Sequence, residues 1–507
     1  MTPVTTPTAV THTQIAIIGT GFAGLGMGIR LKERGTGDFL LFERAGEVGG
    51  TWRDNTYPGC ACDVKSDLYS FSFAPNPDWS HRYARQPEIL AYLRGVADRF
   101  GMRPHIRFGH EVERAEWDDG EGLWRLSTSG GAYTARVLIS GHGPLIDLNW
   151  PDLPGLESFT GPRFHSARWD HSVDLRGKRV AVIGTGASAI QFVPEVQKVA
   201  RQLTVFQRTP PWVMPRMDTA TSERRRELFR RLPALQRASR GWIFGVAEAR
   251  FLIFSSERAG RLAEGLALRH LEAQVPDPAL RAKLTPDYRL GCKRILVSDD
   301  YYPALQRPNV ELVTDPIREV RGAEVVTAGG VARPFDVLIA GTGFNATRPP
   351  MARLIHGRGG VSLADAWSSH LEALRGTAVA GFPNLFLLVG PNTALGHNSI
   401  VYIIEAQVEY VLQALGHLDR QSLAALEARP EAQAAYSDAL QAELRESVWV
   451  QGGCTSYYLD AAGRNSTLWP RRAASFRRAL RRFDPGEYAV RLSPARPRPL
   501  LRREGAA

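Results

Sequence analysis

Two distant stretches of this chain share one hydrophobic pattern. Gln14–Gly19 (QIAIIG) and Lys178–Gly184 (KRVAVIG) are apolar, β-branched runs that end in a glycine and lead into helix-like sequence. Near-continuous apolar runs suit strands buried on both faces, and strand–turn–helix units build parallel sheets covered by helices. Two such units more than 150 residues apart predict an α/β protein with two nucleotide-binding domains. Between them, Leu90, Leu93, Val96, Ala97 and Phe100 recur at helical spacing over 87–100, and 106–140 breaks into short strands. Residues 219–290 turn rich in Arg, Ala, Leu and Glu, which favours helices and marks an insertion in the second domain. Strands return at Val310–Val313, Glu324–Thr327 and Asp336–Ala340, and 400–447 reads as mostly helical. These changes divide the chain into a first domain of 1–145 with 385–507 and a second of 146–384. Met1–Thr13 and the Pro/Arg-rich C-terminal end read as loose tails.

Composition narrows the class. The 507 residues, 44% hydrophobic and 23% charged, are those of a soluble protein of two or three domains. No apolar run is long enough to cross a membrane, and the N-terminus lacks a basic stretch followed by an apolar core. Four cysteines (Cys60, Cys62, Cys292, Cys454) make no disulfide framework, so a reducing, cytoplasmic setting is expected. Cys60-x-Cys62 has the wrong spacing for a zinc pair, and no metal is expected. The net charge of +11 is scattered, which fits a solvated Arg-rich surface and an anionic cofactor better than nucleic acid.

The glycine turns carry the first chemistry. In Gly19-Thr-Gly21-Phe22-Ala23-Gly24 the first glycine permits the tight turn and the second lets backbone approach a pyrophosphate. The third allows close helix–strand packing. Glu43 ends the next strand, where a carboxylate would bind ribose hydroxyls. The second turn is Gly184-Thr185-Gly186-Ala187-Ser188-Ala189, with Ala in the third glycine's place. Its following strand ends in Arg208-Thr209, and an arginine there accepts a 2′-phosphate where an acid would repel it. NADPH is therefore expected over NADH.

Longer motifs go further. Phe159-x-Gly161-xxx-His165-xxx-Trp169-Asp170 resembles the signature of Baeyer-Villiger monooxygenases, and Gly49-Gly50-x-Trp52-xxxx-Tyr57-Pro58-Gly59-xxx-Asp63 resembles a second pattern of that family. The resemblance continues through Gly291–Arg294, Tyr301-Tyr302, 341–347, 390–399 and 449–470. Ala61, an arginine in many relatives, and the C-terminal GRNSTLWP depart from it, which bears on substrate range. The resemblance implies Rossmann-like FAD and NADPH domains. It also implies that one atom of O2 is inserted beside the carbonyl of a ketone or aldehyde, through a flavin C4a-peroxide, to give an ester or lactone. It makes Arg294 the catalytic arginine and Asp63 its partner. Thr51, Trp52, Asp63, Tyr69, Val112 and Asn392 become cofactor contacts, Thr51 and Trp52 on the flavin side and Asn392, with His397 of the same loop, near the flavin. His165 and Trp169 are expected at the junction of the domains, and Gly341-Thr-Gly343 at a second crossing between them. The alternative is an N- or S-oxygenating flavin monooxygenase, against which Arg294, Asp63 and the Trp169-Asp170 ending argue.

Overall fold

The computed structural model describes residues 10–460, 462–493 and 497–501. Strand Thr11–Ile18 lies inside an eight-stranded sheet, parallel to Phe39–Glu43 on one side and Gly131–Ser140 on the other. Ile15 and Ile17 are wholly buried, as a central strand covered on both faces requires. Val112–Asp118, Leu123–Thr128 and Gly131–Ser140 form an antiparallel meander at one side, and Leu385–Leu387 also pairs with Gly131–Ser140. The second sheet has five parallel strands in the order Val310–Val313, Gln202–Phe206, Arg179–Ile183, Val337–Ala340 and Arg163–His165. Val180 and Val182 are its buried centre. Five helices, from Glu223–Arg231 to Pro278–Leu284, make up the insertion.

Several details differ from the sequence expectations. Ile355–His356 pairs with Val112–Asp118 of the first sheet, so the chain has returned there well before residue 385. That strand is two residues long, too short for a periodic signal. Thr11–Thr13 belong to the first strand and are not tail; Met1–Ala9 lie outside the described residues. Within 400–447 a strand, Leu423–Ala428, separates two helices and pairs with Tyr488–Leu492 near the C-terminus. The C-terminal end is docked: Leu500 is 2% exposed, its amide donates to Asp419, and Thr36 donates to its carbonyl. One buried leucine and a few backbone bonds fix a segment whose composition reads as disordered. Residues 494–496 and 502–507 of that end lie outside the described residues. The cysteines are corrected too, because Cys292 and Cys454 form a disulfide while Cys60 and Cys62 stay free. At a sequence separation of 162, no spacing announces the pair.

Candidate active site

The two glycine turns are built alike. Gly19 donates its amide to Phe42 and Gly184 donates to Phe206, each tying the turn to the neighbouring strand (2.8 and 3.0 Å). Both glycines have positive φ, +90° and +106°. A Cβ on Gly19 would meet the Gly141 carbonyl at 2.9 Å, and one on Gly184 would meet the Gly341 carbonyl at 2.5 Å. Those carbonyls belong to the two crossings between the domains, so each crossing is seated on one glycine turn.

The helices that follow, Phe22–Glu33 and Ala189–Gln197, share a property that suits an anion. Neither has a side-chain cap or an acidic residue in its first turn, whereas Ser222, Ser256, Asp277 and Ser399 cap other helices. Free N–H groups at a helix N-terminus are a phosphate site. Both N-termini open into one cleft of about 1330 Å³.

That cleft gathers most of the residues singled out above: Gly19, Gly21, Phe22, Ala23, Glu43, Thr51, Trp52, Asp63, Tyr69 and Val112 from the first domain. From the second come Thr185, Gly186, Ala187, Ser188, Arg208, Thr209 and Arg294. Of the expected cofactor contacts, three stay out of it. Gly24 is buried beneath the first turn, where a Cβ would lie 1.9 Å from the Gly19 carbonyl, and Ala189 is wholly buried at the matching place. Asn392 does not face the cleft: its side-chain amide donates to the Asn465 and Leu468 carbonyls, clasping the C-terminal segment. His397 is equally enclosed, against Glu248 and Phe251.

Glu43 is 4% exposed and already engaged. It accepts from the Thr20 amide and hydroxyl (3.2 and 2.6 Å) and pairs with Arg53 at 2.8 Å. Trp52 donates its indole N–H to the Tyr69 hydroxyl at 3.0 Å. Arg294 reaches across from the second domain and donates Nε and Nη2 to one oxygen of Asp63, at 2.9 and 2.5 Å. Burial pushes the Asp63 carboxyl up, but the charge and hydrogen bonds of Arg294, joined by Arg216, hold it below the usual carboxylate range. Asp63 in turn raises Arg294 well above an ordinary arginine. The pair is charged throughout the neutral range.

His165 lies where the two crossings meet. Its ring packs against Trp150 and Phe344, one from each crossing, and the crossings bond to each other through Asn149 to Gly343 and Asn345 to Asp147. Its Nδ1 accepts from the Ala167 amide, which leaves the proton on Nε2. Burial lowers its pKa to about 4, against the opposing pull of the Gly343 carbonyl, so the ring is neutral at pH 7. Trp169 packs on Phe192 of the second glycine-turn helix.

The sequence alone did not point to two further residues. Lys293 lines the cleft near Arg208; burial and then the charge of Arg208 depress its ammonium pKa. Its adjacency to Arg294 was the available hint. Gln191 accepts from the Tyr57 hydroxyl and Ala61 amide and donates to the Ala61 carbonyl, locking the Tyr57-Pro58-Gly59 motif to the second domain. Nothing in a single sequence marks it.

Two open helix N-termini on one cleft, with a guanidinium–carboxylate pair in the same space, define a protein that binds two nucleotides side by side. A model of the flavin-binding monooxygenase-like family matches residues 12–235. A Baeyer-Villiger monooxygenase of Streptomyces coelicolor is 51% identical over 96% of this chain and 93% of its own length. One from Pseudomonas aeruginosa is 49% identical over 96% and 93%. The solved structure of OTEMO in complex with FAD and NADP superposes with a TM-score of 0.86 at 27% identity, covering 95% of this chain and all of that one. The chain belongs to the Baeyer-Villiger monooxygenase family.

Proposed function

We propose that FAD lies on the Gly19 turn with Glu43 at its ribose, that NADPH lies on the Gly184 turn with Arg208 and Lys293 at its 2′-phosphate, and that Arg294 oriented by Asp63 is the catalytic group. The enzyme converts a ketone, O2 and NADPH with one proton into an ester or lactone, NADP⁺ and water. FAD, when bound, takes the hydride and activates O2.

The chain's own residues supply position and charge. The uncapped helix N-termini bind the two pyrophosphates. The guanidinium of Arg294 cannot give up its proton, so it offers fixed positive charge where negative charge builds during oxygen insertion. Asp63 holds its direction; a lone arginine in the cleft would swing or be screened by water. The observation that carries this reading is the Arg294–Asp63 ion pair spanning the two domains inside the shared cleft. An N- or S-oxygenating enzyme, which needs a protonated, electrophilic oxygen donor, would not be served by a permanent cation there.

The test is turnover of the purified holoenzyme with NADPH, ¹⁸O2 and linear, cyclic and aryl ketones. Esters or lactones carrying one ¹⁸O are expected. Oxidation confined to amines or sulfides would overturn the assignment.

A further inference from the structure

Arg294 ends an irregular segment, 289–294, that lies between the last insertion helix and the short strand Leu296–Val297. Its support comes from another mostly irregular segment far along the chain, 448–458. The Arg289 amide donates to the Gly452 carbonyl at 2.9 Å. Gly452 approaches so closely that a Cβ there would stand 2.6 Å from the Cys292 Cβ. The disulfide joins the same two segments, Cys292 to Cys454, across 162 residues of chain. Cys292 is wholly buried two residues before Arg294. Tyr457 and Tyr458, three and four residues past Cys454, line the same cleft close to Arg294. Arg294 is thus held from two sides, by Asp63 of the first domain and by a covalent link to the C-terminal segment.

We propose that the Cys292–Cys454 disulfide is a redox-sensitive positioning tether: oxidised, it seats Arg294 against Tyr457 and Tyr458, and reduced, it frees 449–458 so that NADPH is spent on hydrogen peroxide instead of ester. This rests on the role given to Arg294 above. Closing the bond removes two electrons and two protons from the two thiols. With hydrogen peroxide as oxidant, the partly exposed Cys454 thiol becomes a sulfenic acid with release of water, and the Cys292 thiol displaces its hydroxyl as a second water. A dithiol reopens the bond by exchange and is itself oxidised to a disulfide. The remaining cysteines do not compete. Cys60 and Cys62 are buried, and burial pushes the Cys60 thiol up to about 12 and Cys62 higher still, far from the reactive thiolate.

Holoenzyme purified without reductant, unfolded and alkylated with a maleimide, should carry two labels per chain by mass, and four after dithiothreitol. Four labels before reduction would overturn the proposal. Peroxide released per NADPH consumed, at saturating ketone, should rise several-fold in dithiothreitol-treated enzyme. Cys454→Ser should match that value and no longer respond to dithiothreitol, whereas a general loss of structure would slow flavin reduction and oxygenation together. Unchanged coupling in the reduced enzyme would also overturn it. Absence of ester from untreated enzyme would remove the role of Arg294, and this proposal with it, whichever label count is found.

Discussion

The two glycine turns have nearly the same backbone and opposite surroundings. At the first, the acid that ends the second strand is buried, bonded to Thr20 and paired with Arg53. At the second, Gln207 holds the equivalent place, and the next residue, Arg208, is exposed and stands near a second cation, Lys293. The first helix packs against its turn so closely that only glycine fits at position 24, while the second accepts Ala189. One geometry therefore serves two kinds of occupancy. A site closed by buried, mutually satisfied groups suits a cofactor that stays, and one whose recognition charges face solvent suits a coenzyme that enters and leaves. The ion pair of Asp63 and Arg294 takes one residue from each domain and forms only where both halves are brought together.

The largest effect that could break this contrast is expected at Glu43. Glu43→Ala takes the acceptor from the buried Thr20 amide and hydroxyl, at about 1–3 kcal/mol each, while Arg53 keeps Asp54 and the Glu47 carbonyl. The variant should emerge from gel filtration depleted of FAD; a full flavin complement would show that the first site is not closed by this carboxylate. Next in size, Arg294→Ala should keep flavin reduction by NADPH while oxygenation falls about 10²–10³-fold, the loss typical of a preorganised charge donor. Arg294→Lys should recover little, because a point charge on a flexible stem cannot make both bonds to Asp63. Stopped-flow absorbance separates the half-reactions, and normal ester formation by Arg294→Ala would place the charge stabilisation elsewhere.

At the open site, Arg208→Ala should weaken NADPH by about 1.5–3 kcal/mol, the worth of a charged hydrogen bond, with little change for NADH. Lys293→Ala should act in the same direction. Equal weakening of both coenzymes, measured as the ratio of kcat/KM values, would show that neither residue meets the 2′-phosphate.

The effect spread most thinly, over more than two pH units, belongs to the junction. His165 is neutral when folded, with a pKa of about 4 against an ordinary 6.5. Between those values the unfolded chain binds a proton that the folded one does not, so stability falls as pH drops through this window. The slope from this residue is at most about 1.4 kcal/mol per pH unit. His165→Asn should flatten the urea-unfolding free energy between pH 6.5 and 4; an unchanged slope would mean the ring protonates freely in the fold.

Much of this was legible in the chain. The apolar runs before Gly19 and Gly184, the glycine spacings and the residue ending each second strand are local, and a strand–turn–helix unit is fixed by about thirty consecutive residues. The motif around Asp63 and the family resemblance at Arg294 named both partners of the ion pair. What the sequence could not order were groups whose role depends on a neighbour far along the chain. Asn392 sits in a Gly/Asn-rich loop that looks like ligand contact, yet its amide is consumed by carbonyls at 465 and 468. Ile355–His356 joins the first sheet through a pairing that two residues cannot signal. Cys292 and Cys454 become a bonded pair only because 289–294 and 448–458 fold against each other. Backbone conformation and local charge are short-range properties that the sequence wrote directly. Which polar groups are spent on other parts of the chain, and which remain free in the cleft, was decided by tertiary packing, because a hydrogen bond or a disulfide exists only where both partners have been brought together.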